Sequence, residues 1–218
     1  MGRMRISGLC LAAAVAASAA TCASASAVLP EFTAPFGKPF GSTINPTVLE
    51  TVSGTKVKCK GGTYVGEITG PQSGVMTWTY TGCAMGKVPC NSPAAGSGVI
   101  ATTVLSMTIG YIEKAKKKVG ADLVEPFGGP IIAYNCGTTL AARVIGSVIG
   151  LLVPANKLRT PPKVFYLHFV QALGVQQYPK LEGSPTDVLQ TSFGGPFEGT
   201  GLKSTDVMLF GEPVTLLA

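Results

Sequence analysis

Histidine and charged residues are scarce in this sequence. Charged residues make up 13% of the 218 residues, about half the usual share in globular proteins, and His168 is the only histidine. One histidine cannot build a multi-histidine metal site. No serine lies in the G-x-S-x-G context of an α/β-hydrolase nucleophile. We therefore predict neither a metal ion nor a cofactor, and we interpret His168 as a surface residue or a hydrogen-bonded one.

Nucleotide-binding motifs are also missing, although residues 59–74, CKGGTYVGEITGPQSG, contain five glycines. The lysine precedes the glycines, whereas in a P-loop it follows them, and no G-x-G-x-x-G lies between a strand and a helix. Gly62, Gly66 and Gly70 recur at every fourth position, which places them on one face of a strand. Such a stripe lets a backbone or an aromatic ring approach closely. We interpret the segment as a corner of a β-sheet.

The sequence contains no apolar run long enough to span a bilayer. The longest run beyond the N-terminal region is LAARVIGSVIGLLVP, which is interrupted by Arg143 and Ser147 and ends at Pro154. A buried strand is the better interpretation of this run. We expect no transmembrane segment in the exported chain.

The first 27 residues have the layout of a secretory signal peptide. Arg3 and Arg5 precede a short apolar run, which leads to the Ala-x-Ala pattern at residues 25–27. We expect cleavage after Ala27 and a secreted or extracytoplasmic protein. A lipid anchor on Cys22 is the alternative, but Thr21 stands where such an anchor requires a small residue.

Four cysteines remain after removal of the leader, an even number that predicts two disulfides in an exported chain. Cys83 and Cys90 enclose a short loop containing glycine and proline. We therefore predict that Cys83 pairs with Cys90 and that Cys59 pairs with Cys136. The spacing is not that of a C-x-x-C metal site.

From Thr47 onward the chain consists of short runs with period-two alternation, rich in Val, Ile, Thr and Tyr and separated by Gly, Pro and Asn. No segment has a helical stripe over three turns. We predict an all-β fold, an antiparallel sandwich or a barrel-like single domain spanning residues 47–218. Residues 28–46 contain four prolines and are interpreted as an extended arm laid over this domain. Hairpins are expected at residues 70–74 and 113–118.

Two groups of side chains are candidate contact sites. The first is the basic hairpin EKAKKK, whose Lys114 and Lys116–Lys118 could contact an anionic partner; the alternative is a solvated hairpin tip. No arginine and aromatic interleaving accompanies these lysines, so no nucleic acid is expected. The second group is Tyr64, Trp78 and Tyr80, which could form an aromatic platform for sugars or could pack in the core.

Paired carboxylates are the remaining route to catalysis, since a glycosidase needs two acids across a groove. The chain has 11 acidic residues, but their positions in sequence do not indicate which of them converge. The candidates include Glu67, Asp122, Glu125 and Glu198. A secreted hydrolase of this type is therefore the alternative function.

The chain contains the segments CKGGTYVGEITGP, GYI followed by VGADLVEP, NCG, and VIGSVIGLLVPANK followed by an aromatic strand and GVQ. These segments resemble a family of exported β-rich bacterial proteins that has no assigned activity. The likeness extends from about Leu29 to the C terminus and implies export and one β-rich domain. The resemblance supplies no activity. We favour an exported non-enzymatic protein that binds or structures something at the cell envelope or outside the cell, with the basic hairpin and the aromatic strand as contact surfaces for a partner such as an anionic envelope polymer or glycan.

Overall fold

The structure, a computed structural model, describes residues 29–138, 140–157 and 163–218. The predicted signal peptide, residues 1–27, lies outside these ranges. Among the described residues, 56% lie in strands and 2% in a helix, and no helix there is long and apolar enough to cross a membrane. The strands are β1 (Glu31–Phe32), β2 (Phe40–Thr43), β3 (Thr47–Thr51), β4 (Lys56–Cys59), β5 (Gly61–Gly70), β6 (Ser73–Thr81), β7 (Ala84–Met85), β8 (Val88–Asn91), β9 (Ile100–Ala101), β10 (Leu105–Glu113), β11 (Lys118–Val124), β12 (Ile132–Cys136), β13 (Leu140–Ile145), β14 (Ser147–Val153), β15 (Val164–Phe169), β16 (Gln171–Ala172), β17 (Val175–Gln176), β18 (Gln190–Ser192), β19 (Glu198–Leu209) and β20 (Leu216–Leu217).

Eight of these strands form a closed antiparallel barrel, which confirms the all-β prediction. Their order around the barrel is β2, β5, β6, β10, β11, β14, β15 and β19, and β19 returns to β2. The hairpins predicted at residues 70–74 and 113–118 are confirmed as the β5–β6 and β10–β11 connections. Closure leaves this barrel without a free edge, the site at which sheets commonly aggregate.

Alternating side chains line the barrel because successive residues of a strand point to opposite faces. In β19, Ser204, Asp206 and Met208 are buried, whereas the intervening side chains are partly exposed. The interior contains large residues from every part of the ring. The fully buried ones include Trp78, Met76, Met107, Leu123, Leu152, Phe165, Leu167 and Met208.

Glycines admit aromatic side chains to the interior. A Cβ at Gly62 would lie 2.8 Å from Cδ1 of Tyr80, so the predicted close approach of an aromatic ring is confirmed. At Gly41 a Cβ would lie 2.7 Å from the hydroxyl of Tyr64 and 1.8 Å from the carbonyl oxygen of Val207. The Tyr64 hydroxyl donates to that same carbonyl at 2.5 Å. Any larger residue at position 41 would displace this contact.

The strand pairings close a second ring that shares β19 with the barrel. It runs from β19 through β3, β4, β7, β8, β12, β13 and β18 and returns to β19. Residues 198–203 of β19 pair within this ring, and residues 204–209 pair within the barrel. Gly146 connects β13 to β14 with φ +92°, a conformation that favours glycine.

The four cysteines form one row across β4, the residue before β7, and strands β8 and β12, and the predicted pairing is wrong. Cys59 is bonded to Cys83 and Cys90 to Cys136, with Cα atoms 3.8 and 4.0 Å apart. Cys83 and Cys90 are also neighbours, but the Cys90 amide donates to the Cys83 carbonyl. Hydrogen-bonded antiparallel pairs hold their Cα atoms about 5.5 Å apart, farther than non-hydrogen-bonded pairs. Because of this register, Cys83 bonds to Cys59 and Cys90 bonds to Cys136, and not to each other.

The segment 28–46, predicted to be an arm, contributes two strands where the structure describes it. β1 pairs with β20, and β2 completes the barrel wall between β19 and β5. Phe32 of β1 is buried and contacts the rings of Phe165 and Phe210. The segment thus forms part of the core.

Candidate functional site

Three lysines project from one side of β4 and the residue that follows it. In the sequence KVKCK, Val57 and Cys59 are buried, while Lys56, Lys58 and Lys60 are exposed. Residues two apart in a strand lie on the same face, so this face of the strand carries only ammonium groups. We call these three side chains the lysine row.

An open groove with a volume of about 570 Å³ runs along the lysine row. Its opposite side comes from the chain around β7, where Gly82, Ala84 and Gly86 have small side chains or none. Cys59 forms part of the lining of the groove. Its bond to Cys83 links β4 to the chain just before β7. The groove therefore has a floor fixed by the disulfide, one cationic side and one side of small residues; we call it the lysine groove.

One carboxylate, that of Glu50, lies beside the lysine row. Its Oε1 is 2.9 Å from Nζ of Lys56, and its Oε2 accepts a 2.9 Å hydrogen bond from Nε2 of Gln171. The bonds from Gln171 and then Lys56 lower the pKa of the Glu50 carboxyl from its ordinary value. Among the described residues, Lys58 and Lys60 form no ion pair. Three lysines and one carboxylate give the face a net charge of +2.

A fourth lysine extends the positive surface across two strands. Val48 of β3 pairs with Lys58 on one side and with Lys203 of β19 on the other. A smaller concavity of about 320 Å³ lies beside Lys203, and Pro46 lines both it and the lysine groove. Strands lie about 4.8 Å apart, so the ammonium groups of Lys58 and Lys203 can reach one extended ligand.

The lysines of the predicted basic hairpin are largely engaged within the protein. Glu113 is 2.8 Å from Nζ of Lys116 and 3.6 Å from Nζ of Lys118, and Lys117 donates to the carbonyl of Ala218. The contact with Lys116, and more weakly that with Lys118, lowers the pKa of the Glu113 carboxyl. This hairpin, which also includes Lys114, lines none of the concavities described here. The structure does not bring it together with the lysine groove.

The three aromatic residues of the predicted platform lie in the interior. Tyr64, Trp78 and Tyr80 are at most 5% exposed, and the rings of Tyr64 and Trp78 are 5.4 Å apart. The core-packing alternative is the one that the structure shows. Nε1 of Trp78 donates at 2.7 Å to Oδ2 of Asp206, which is 0% exposed.

The acidic residues are scattered. Glu67 is 3.8 Å from Lys38, Glu125 accepts hydrogen bonds within its own loop, and Glu198 binds Ser53.

Burial raises the pKa of the Asp122 carboxyl above its ordinary value. A hydrogen bond with Ser147 lowers this pKa, and the charge of Asp187 raises it. The lysine groove and both small core cavities, of about 20 and 30 Å³, contain no acid in their linings. No described concavity places two carboxylates opposite each other.

His168 lies on the outer side of β15. Its ring stacks on that of Tyr166 at 6.0 Å, and Nδ1 is 3.2 Å from Oγ1 of Thr205. The interpretation of His168 as a hydrogen-bonded surface residue is therefore confirmed. Within the described ranges, no group of three or more His, Cys, Asp or Glu side chains could hold a metal ion.

In comparisons with known proteins, no family model, curated protein or solved structure matches the chain. The resemblance to exported bacterial proteins stays a prediction, and the lysine groove has to be interpreted from its own chemistry.

The sequence reasoning missed Lys56, Lys58, Lys60 and Lys203, although part of the signal was present. The alternation in KVKCK predicts that three lysines share one face. The run EKAKKK is the more conspicuous cluster in the sequence because its charges are consecutive. Consecutive charges in a turn, however, point in different directions. Lys203 could not be assigned to the same face, because its pairing with β3 spans 155 positions, from Val48 to Lys203.

Proposed function

We propose that the protein is an exported, non-enzymatic binding protein whose lysine groove holds acidic groups of an envelope polymer or glycan. The observation that carries this proposal is the lysine row, three outward ammonium groups along an open groove with a single carboxylate beside them. Sulfate, phosphate and carboxylate groups suit such a surface because ammonium groups donate charge-assisted hydrogen bonds to them.

The fixed floor of the groove supports a role in binding. The Cys59–Cys83 bond joins β4 to the chain beside β7, so the backbone beneath the lysines is already in place before a ligand arrives. A preorganised surface loses less conformational entropy on binding. No pair of acids accompanies the groove, which is why binding is a better proposal than hydrolysis.

Dextran sulfate and neutral dextran form a matched pair of probes for this proposal. We expect the protein to bind dextran sulfate but not dextran in isothermal titration calorimetry, with an affinity that falls as salt is added, because salt screens exposed charges. The variant Lys58→Gln/Lys60→Gln should weaken binding about tenfold, since each exposed ion pair contributes up to about 1 kcal/mol.

The control variant is Lys114→Gln/Lys117→Gln, which removes the same charge from the basic hairpin. It should bind dextran sulfate as the unmodified protein does. Equal weakening by both variants would show that net charge, and not the lysine groove, determines the affinity.

A further inference from the structure

Three turns that are distant in sequence meet at one end of the β3–β19 surface, and each exposes an apolar side chain. Val52 follows β3, Leu173 and Val175 belong to the β16–β17 hairpin, and Phe197 precedes β19. Their exposed fractions are 53%, 80%, 60% and 44%, respectively. We call these four side chains the apolar tip.

Direct contacts hold the three turns together. The Val52 amide donates to the Gly199 carbonyl at 2.9 Å. A Cβ on Gly174 would lie 2.4 Å from the backbone nitrogen of Val52, so the hairpin packs directly against the turn after β3. The one carboxylate in these turns, that of Glu198, accepts bonds from the amide and hydroxyl of Ser53. The apolar tip is therefore one surface, and the carboxylate beside it is hydrogen-bonded to a neutral residue.

The folding of the chain gives no reason for a leucine at position 173. Leu173 and Gly174 form a two-residue turn with φ values of +53° and +77°, a combination that favours Asn-Gly or Asp-Gly. A leucine adopts such a φ rarely. Its side chain is nevertheless the most exposed of the tip. Both features disfavour Leu173 in the isolated protein, and a ligand that buries the side chain would account for its exposure.

The apolar tip is connected to the lysine row through hydrogen bonds. The Gly174 amide donates to Oε1 of Gln171, Nε2 of Gln171 donates to Glu50, and Glu50 contacts Lys56, each at 2.9 Å. Lys56 thus stands next to the tip, and Lys58 follows at about 7 Å along the strand. Apolar side chains with lysines immediately behind them match the acyl region and the acidic headgroups of an anionic bilayer.

We propose that the apolar tip inserts into an anionic lipid surface while Lys56 and Lys58 contact its headgroups. This inference rests on the proposed function in one respect, the binding of acidic groups by the lysine row, and it adds lipid headgroups as a second ligand beside the envelope polymer or glycan. The polar headgroup layer is about 5 to 8 Å thick on each side of the hydrocarbon core, and the step of about 7 Å from Lys56 to Lys58 along the strand is of the same size.

Vesicle co-sedimentation tests the inference with Leu173→Asn as the decisive variant. We expect the protein to bind phosphatidylcholine vesicles containing about 30% phosphatidylglycerol and to bind pure phosphatidylcholine far more weakly. Leu173→Asn should reduce this binding at least about tenfold, because it removes a buried leucine side chain from the bound state. Asparagine suits the turn, so the melting temperature should stay unchanged or rise.

A control variant and a soluble probe separate the outcomes. Val65→Ser removes a side chain that is 64% exposed on the barrel wall, and it should leave vesicle binding unchanged. Equal losses from both variants, or full binding by Leu173→Asn, would overturn insertion of the tip. Binding of dextran sulfate without vesicle binding would overturn this inference and leave the proposed function standing. Failure to bind either probe would overturn both.

Discussion

Replacing Asp206 by asparagine is expected to raise the free energy of unfolding by about 3 kcal/mol at neutral pH. Asp206 is 0% exposed, and burial raises the pKa of its carboxyl from 3.8 to about 6, although hydrogen bonds from Ser204 and Trp78 oppose the rise. A difference of about two pKa units corresponds to about 3 kcal/mol. The stabilising change would therefore come from removing a charge that the interior disfavours.

The pH dependence follows from the direction of this shift. Below pH 3.8 the carboxyl is protonated in both the folded and the unfolded chain, and Asp206 brings no ionisation penalty. Between pH 3.8 and about 6 only the unfolded chain ionises, so the stability of the folded protein decreases as the pH rises. Above about pH 6 the penalty is constant. Urea denaturation across this range should show the decrease in the unmodified protein, and the difference from Asp206→Asn should nearly vanish at about pH 4.

Asparagine can preserve the hydrogen bonds at this site. Its carbonyl can accept from Nε1 of Trp78, 2.7 Å from the present carboxylate, and its amide can donate to Oγ of Ser204. The Ser204 hydroxyl can then donate to Oγ1 of Thr47, 3.2 Å away. Glu67→Gln, at an exposed position, is the control and should have no effect. If Asp206→Asn were less stable than the unmodified protein at neutral pH, burial would not be the dominant effect on the Asp206 carboxyl.

Removing the Cys90–Cys136 bond is expected to lower the free energy of unfolding by about 4 kcal/mol, and removing Cys59–Cys83 by about 3.5 kcal/mol. Each bond restricts the unfolded chain, and the restriction grows with the enclosed loop. The separations are 46 and 24 residues. Denaturation of Cys90→Ala/Cys136→Ala and Cys59→Ala/Cys83→Ala measures the two effects.

Thiol titration of the same variants tests the pairing itself. Cys59→Ala/Cys83→Ala should contain no free thiol among the four positions, because Cys90 and Cys136 stay bonded. In contrast, Cys83→Ala/Cys90→Ala removes one member of each bond and should expose two thiols. Two free thiols in Cys59→Ala/Cys83→Ala and none in Cys83→Ala/Cys90→Ala would instead support the pairing predicted from the loop between Cys83 and Cys90.

Local features of the fold could be predicted from the sequence because they depend on neighbouring residues. The alternation in TYVGEIT and VMTWTYT, together with the intervening Gly70–Gly74 turn, is sufficient to predict the β5–β6 hairpin. The closure of the barrel depends instead on pairing between β2 and β19, which joins Phe40 to Leu209. No local pattern encodes that partner, and the four prolines of residues 28–46 favour the interpretation of Phe40–Thr43 as part of an arm.

The same distinction applies to the disulfides and to the functional candidates. The even number of cysteines beyond residue 27 predicts two bonds, but the choice between neighbours in the row depends on which pair is hydrogen-bonded, a property of the register. The lysine row could have been predicted from KVKCK alone. The apolar tip could not, because Val52, Leu173 and Phe197 meet only after β3, the β16–β17 hairpin and β19 are assembled.

The position of β19 in the chain determines when a compact core can exist during synthesis. All four strands that pair with β19, namely β2, β3, β15 and β18, precede it. A polypeptide that emerges from its N terminus therefore cannot seal either ring until residues 198–209 have appeared. Until then its hairpins can form, but their apolar faces have no complete enclosure.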